Sequence, residues 1–182
     1  VGLLERIIRD AHRASEVIKR IRSLATYSDP EYAPLDINGA IDETLHLLRR
    51  ELSLQRVSLR LDLALRLPAV LGDRVQLQQV VINLIVNAAD AMADMDKSQR
   101  RIMVRIARDG NFAKVEIADT GPGISSGKLK EVFEPFYTTK PNGMGVGLSI
   151  ARTIIEAHHG EISAESQAGR GAVFRISLPL VR

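Results

Sequence analysis

Three pieces of one stretch decide how this chain is read: Asp119-Thr-Gly-Pro-Gly-Ile124, Val132-Phe-Glu-Pro-Phe-Tyr-Thr-Thr-Lys140 and Gly143-Met-Gly-Val-Gly-Leu148. A lone carboxylate stands beside two glycines, a loop follows with a lysine, and a second glycine run opens a helical pattern. A carboxylate can accept a hydrogen bond from the exocyclic amine of adenine, where guanine presents an acceptor instead. Gly121 and Gly123 let the chain turn and let a flat ring approach. Gly143, Gly145 and Gly147 precede a helix whose first amides and dipole suit an anion. Thr138, Thr139 and Lys140 offer hydroxyls and a cation to a terminal phosphate, and Phe133 and Phe136 are expected to anchor the hinge of that loop. The sum is a nucleotide site closed by a lid. Each piece also has a plainer explanation: a strand-end turn for Asp119, a flexible turn for the glycines, core packing for the phenylalanines.

Upstream, the spacing predicts a long helix from Asp73 to about Met92, with Asp73 as its N-cap and Leu77, Val80, Val81, Leu84, Ala88 and Ala91 as its core face. Asn83, Asn87 and Asp90 fall at i, i+4 and i+7 and so share an adjacent stripe. Asparagines repeated in so apolar a helix conflict with both propensity and burial, a conflict expected where function overrides a local rule. An amide carbonyl is a hard, neutral oxygen suited to Mg²⁺ that phosphates already hold. Satisfied or exposed structural amides remain the alternative.

The flanking elements follow from periodicity. A helix is predicted over 36–53 and an alternating strand over 57–63, with Val70-Leu71-Gly72 extended. Strands at 102–107 and 114–119 are joined by an Asp109-Gly110-Asn111 turn. A short helix is expected over 125–133 and a longer one over 145–159, ended by Gly160 at the C′ position. Strands at 161–166 and 172–178 close the chain. That order predicts an α+β fold: a two-layer sandwich of one mixed sheet with helices on a single face. Residues 1–29 read as one helix, with Leu4, Ile8, Ala11, Ile18 and Ala25 on a stripe broad enough to want a bundle partner. Residues 30–34 read as a linker, and 35–182 as the main domain. The chain opens inside a helical pattern without a start methionine, so a piece of a longer protein is expected.

The bulk numbers exclude several classes. Of 182 residues, 45% are hydrophobic and 26% charged, ordinary for a folded domain. The net charge of +3 and the 4% aromatic content supply neither a basic stripe nor stacking platforms, so no nucleic-acid partner is expected. No apolar run approaches the ~18 residues of a membrane helix. The chain has no cysteine, which fits a reducing cytoplasm. His46, His158 and His159 have no metal-ligand spacing and are expected at the surface or at helix ends.

Taken together, Asn83-Leu-Ile-Val-Asn-Ala88, Asp119 to Ile124, Phe133 to Lys140, Gly143 to Ser149 and Gly169-Arg-Gly-Ala-Val-Phe-Arg-Ile-Ser-Leu-Pro179 resemble the ATP-binding catalytic domain of sensor histidine kinases, of the GHKL superfamily with the Bergerat fold. Glu16 to Ala25 resembles the second helix of that family's dimerisation and phosphoacceptor domain. The resemblance implies ATP (or ADP) and Mg²⁺ as ligands, with Asn87 on the metal, Asn83 assisting, and Asp119 on the adenine amine. It further implies Gly121, Gly123 and Ile124 along the base and an ATP lid from Thr138 to Gly147. Asp90, Phe133, Phe136, Val146 and Leu148 complete the implied nucleotide site, and Asn83 and Lys140 are the catalytic candidates. Superfamily ATPases carry a Glu at the position of Asn83 to activate water, and an amide cannot serve as that base.

By the same resemblance, the γ-phosphoryl would pass to a His and then to an Asp of a response-regulator receiver domain. The parent would be a homodimer through the bundle helix, cytoplasmic here even if anchored in a membrane elsewhere. The phosphoacceptor signature is absent: His12 precedes Arg13-Ala14-Ser15, so no acceptor is expected in this chain and self-phosphorylation is not expected of it alone. A nucleotide-dependent interaction module and a GHKL ATPase are the alternatives. Many relatives carry Thr where Ala172 stands, which removes a hydroxyl near the base.

Overall fold

A computed structural model describes residues 30–140 and 143–181. The expected bundle helix, residues 1–29, lies outside the described residues. So do Pro141 and Asn142 of the expected lid.

The chain enters through β1 (Ala33–Leu35), which pairs antiparallel with β3 (Val70–Gly72). Ala33 and Pro34, expected in a linker, are therefore strand, since β3 offers them a ladder. Helix α1 (Ile37–Leu54) starts at Asp36, whose carboxylate accepts the Asn38 amide at 3.0 Å. It buries Ile37, Ala40, Ile41, Thr44, Leu45 and Leu52 along one face. Helix α2 (Arg74–Ala91) starts at Asp73, which accepts the Gln76 amide at 2.9 Å, as its sequence predicts.

The main sheet runs in the order β2 (Ser58–Leu63), β4 (Arg101–Asp109), β5 (Phe112–Asp119), β7 (Ala172–Pro179), β6 (Glu161–Ser166). The β2–β4 pair is parallel and the others are antiparallel. Alternation settles which face is covered. Ile102, Val104 and Ile106 of β4, Val115 and Ile117 of β5, and Phe174, Ile176 and Leu178 of β7 are all buried with the helices. The other face is polar: Arg175 bonds Glu116 at 2.7 Å and also pairs with Glu165, while Arg105 meets Asp62 at 3.2 Å. One face covered by helices and one face wet is the two-layer α+β sandwich expected.

Several local expectations change. Residues 125–133 form two 3₁₀ turns, Ser126–Lys128 and Glu131–Phe133, instead of a short helix. The segment offers too little periodic apolar surface for a helix, and Pro135 holds Glu134 extended at ψ 139°. The last helix, α3, spans Gly147–Ala157, shorter than predicted. Gly145 cannot begin it, because its φ of +67° lies in the left-handed region.

At the far end of α3 the C′ residue is His159, not Gly160: His159 has φ +55°. Its amide donates to Glu156 at 3.0 Å and the Gly160 amide to Ile155 at 2.9 Å, a Schellman pair. Gly160 is needed for a different reason, since a Cβ there would lie 2.5 Å from the Ser177 carbonyl oxygen.

His158 is buried at 1% exposure rather than a surface group. One ring nitrogen, Nδ1, lies 2.7 Å from the Ile154 carbonyl, and Nε2 accepts the Asp73 amide at 2.9 Å. Those partners require the neutral ring with its proton on Nδ1. Burial lowers its pKa, the Ile154 bond and Asp73 opposing that and His159 adding to it. The ring therefore ties the end of α3 to the start of α2.

Candidate functional site

The site grows from α2. Leu77, Val80, Val81, Leu84 and Ala88 are buried as expected, joined by Ile85 and Ala89, whereas Ala91, expected on the core face, is exposed. Asn83 and Asn87 occupy the flank of that face, half-buried, with Asp90 exposed one turn further. Asn83 Nδ2 donates to the Gly147 carbonyl at 3.2 Å, tying α2 to the first residue of α3. Gly147 itself sits over both asparagines, where a Cβ would lie 3.8 Å from Asn87 Nδ2. Val146 caps α3 without a side-chain bond, so the first amides of that helix keep their donors for a ligand.

Lys140 comes to the same flank from the loop after β5. Its ammonium donates to Asn87 Oδ1 at 3.1 Å and to Asp90 Oδ2 at 2.8 Å. The Asn87 carbonyl thus faces a cation already. Thr138 and Thr139 are exposed; Thr138 Oγ1 accepts the Lys140 amide at 3.1 Å, a local turn.

Of the two expected hinge anchors, Phe133 is buried and meets Phe174 edge-on at 6.2 Å. Phe136 is not an anchor: it is 79% exposed with φ +67°. Its backbone instead faces Gly145, where a Cβ would come within 2.4 Å of the Phe136 carbonyl carbon. Tyr137 packs partly into the core in its place, its hydroxyl buried without a partner. Leu148 and Ile124 are also half-buried against the core, and Gly143 and Val146 are half-buried on the loop.

The base side lies at the end of β5. Strand parity carries Val115 and Ile117 inward, and Asp119 continues that row, so its carboxylate enters the covered face at 8% exposure. Its Oδ1 accepts the Gly121 amide at 2.7 Å and the Ala172 amide at 3.3 Å. Both bonds fall on one oxygen, leaving Oδ2 for a ligand. Burial raises the carboxyl's pKa above its ordinary value, while the two amides pull the other way. Gly121 connects this corner to α2, since a Cβ there would meet Ala91 at 3.5 Å and Met92 at 3.6 Å.

The structure thus draws Asn83, Asn87, Asp90, Lys140 and Gly147 into one cluster. It places Asp119, Gly121 and Gly123 in a second, joined to the first through the end of α2. Sequence reasoning missed two members of the second cluster. Gly171 has φ +80°, and a Cβ on it would lie 1.9 Å from the Asp119 carbonyl oxygen. Ser166 bonds the Ile124 amide and the Gly171 carbonyl. The run Gly169-Arg-Gly171 was the available signal; it entered only as part of the resemblance over Gly169 to Pro179, with no role given to Gly171.

A nucleotide cradle between an asparagine-bearing helix, a strand-end aspartate and a glycine-opened helix matches one family model, the histidine kinase-, DNA gyrase B- and HSP90-like ATPases, over residues 72–182. The chain belongs to that family. Within it, its curated relatives are sensor kinases: the C4-dicarboxylate transport sensor protein DctS of Rhodobacter capsulatus is 38% identical over 97% of this chain and 27% of its own length. The chain thus spans about a quarter of that relative. Among solved structures, the nucleotide-free catalytic domain of histidine kinase ThkA superposes with a TM-score of 0.73 at 30% identity, covering 82% of this chain and 96% of that one. Histidine kinase ThkA in complex with response regulator protein TrrA gives a TM-score of 0.77 at 26% identity, over 96% of this chain and 49% of that one. The chain is an ATP-binding catalytic module of the two-component type. No helix among the described residues is long and apolar enough to cross a membrane.

Proposed function

We propose that this domain holds Mg-ATP and donates its γ-phosphoryl to a histidine carried by another segment of the parent kinase, from which an aspartate of a receiver domain takes it. The observation that carries the reading is the treatment of Asn83: its amide is committed to Gly147 at 3.2 Å, and an amide cannot deprotonate water. The carboxylates built into the site are Asp90, paired with Lys140, and Asp119, buried and bonded to two amides. Neither occupies the position of Asn83, where the superfamily ATPases carry their water-activating Glu. ATP is therefore kept from water and saved for transfer.

Adenine enters beside Asp119, whose Oδ2 accepts the exocyclic amine, with Gly121, Gly123 and Ile124 along the ring. The phosphates lie across the start of α3, where Gly147, Leu148 and Ser149 offer unpaired amides. The residues present fit a magnesium ion: Asn87 Oδ1 already receives a cationic group, and one neutral protein oxygen suits a metal otherwise held by phosphates and water. Asn87 would hold it, with Asn83 beside it. Bound there, Mg²⁺ neutralises charge on the phosphates. Lys140 leaves Asp90 for the γ-phosphate, Thr138 and Thr139 add hydroxyl donors, and the site's contribution is positioning and charge.

In the transfer, the imidazole nitrogen forms its bond to phosphorus as the bond to the bridging oxygen breaks, giving ADP and phosphohistidine. A bundle helix, as the sequence of residues 1–29 leads one to expect, would make the parent a dimer, and the ThkA–TrrA complex supports a response regulator as the partner. ATP as donor places the domain in the cytoplasm. The test is a mixing experiment with γ-labelled ATP: label should pass to a supplied phosphoacceptor helix and not to His12. Rapid phosphate release without acceptor would instead mark an ATPase.

A further inference from the structure

Ser166, the last residue of β6, has its hydroxyl bonded twice. It accepts the Ile124 amide at 2.7 Å and donates to the Gly171 carbonyl at 2.6 Å. It therefore bridges two turns that meet around Asp119, the 120–124 turn after β5 and the 167–171 turn before β7. The turns are fitted to each other by backbone as well. The Gly169 amide donates to the Pro122 carbonyl at 2.7 Å. A Cβ on Gly123 would meet the Gln167 carbonyl oxygen at 2.4 Å, and one on Gly171 would meet that of Asp119 at 1.9 Å. The residue after Gly171 is Ala172, whose amide supplies the longer of the two bonds on Asp119 Oδ1 at 3.3 Å. Releasing the Gly171 carbonyl would loosen that bond first.

We propose that Ser166 is a positioning residue for base recognition: by pinning both turns it keeps Asp119 Oδ1 engaged by backbone amides and Oδ2 directed at the adenine amine. This rests on Asp119 as the base-selecting carboxylate. Ser166 acts through that residue and does not touch the nucleotide.

The test measures calorimetric affinities of this chain for ATP, inosine triphosphate (a carbonyl in place of the amine) and inorganic tripolyphosphate. Ser166→Ala should weaken ATP about tenfold, the worth of one well-made hydrogen bond. It should shrink the preference for ATP over inosine triphosphate by a similar factor and leave tripolyphosphate unchanged. Ser166→Thr keeps the hydroxyl and should keep the preference; Ser166→Cys, a weaker hydrogen-bonding group, should fall between. An unchanged preference in Ser166→Ala, or equal losses for ATP and tripolyphosphate, overturns the positioning role. Asp119→Asn measured alongside separates the two ideas: a full preference in that variant overturns the base-reading carboxylate, and the Ser166 role with it.

Discussion

The two halves of the site are built differently. Around Asp119 the carboxylate is at 8% exposure, Gly121, Gly171 and Ala172 are buried beside it, and the two turns are joined by bonds of 2.6 to 2.7 Å through Ser166 and the backbone. Around Lys140 the loop is open: Thr138 and Thr139 are exposed, Phe136 is 79% exposed, and among the described residues the side-chain tie to α2 is Lys140 on Asn87 and Asp90. A half-exposed ion pair is worth at most about 1 kcal/mol, so an incoming phosphate can displace it. The base half is pre-organised to select; the phosphate half is held loosely enough to rearrange when ligand arrives.

The sharpest way to break this contrast is Asp119→Asn. ATP affinity should drop about 100-fold, the cost of turning an acceptor toward a ligand donor into a mismatched amide. Yet the ligand-free domain should become no less stable. Because burial raises this carboxyl's pKa in the folded state, its stabilising contribution is complete below the ordinary value of 3.8 and is lost as pH rises through the raised value. At neutral pH the buried charge is a net cost, which Asn removes. A melting temperature that falls with the substitution would place Asp119 in the framework rather than the site.

Two glycines test the halves directly. Gly171→Ala and Gly145→Ala both introduce a Cβ at positive φ and against backbone. In the buried base half the clash should cost about 3 kcal/mol in chemical denaturation, and in the open half nearer 1 kcal/mol because the loop can shift. Equal costs would mean the lid is as tightly built as the base turn.

His158 lies at the ends of the two helices away from the site, linking the N-cap of α2 to the end of α3. Its folded pKa is depressed, so its contribution is complete above the unfolded value of 6.5 and is lost as pH falls through the depressed one. Stability should therefore decline below about pH 6.5 in wild type, and less steeply in His158→Gln. The smallest effect is expected of Lys140→Ala: melting within about 0.5 kcal/mol of wild type, with ATP several-fold weaker and Mg²⁺-dependent binding retained.

Much of this was readable along the chain. Alternation put Asp119 in register with Val115 and Ile117, which already implied a carboxylate entering the covered face. Spacing placed Asn83 and Asn87 on one flank of a helix whose other residues needed burial. The N-cap at Asp73 was legible for the same reason: a single side chain satisfies an amide three residues away. The miscalled elements are those with weak local signals. Residues 125–133 lack periodicity, and Phe136 is apolar but reaches no pocket, its place in the core taken by Tyr137.

What the residues determined by themselves were relations of short range: which face of a strand or helix each side chain joins, and which chemistry each motif can perform. Contacts between distant segments required the fold. Lys140 meets Asn87 across 53 positions of sequence, His158 meets Asp73 across 85, and Ser166 meets Ile124 across 42. Periodicity carries no information about such distances, since it reports only the side of an element that a residue occupies. Only packing α2 and α3 on one face of the sheet, and folding the β6–β7 turn over the end of β5, made a nucleotide site out of separate motifs.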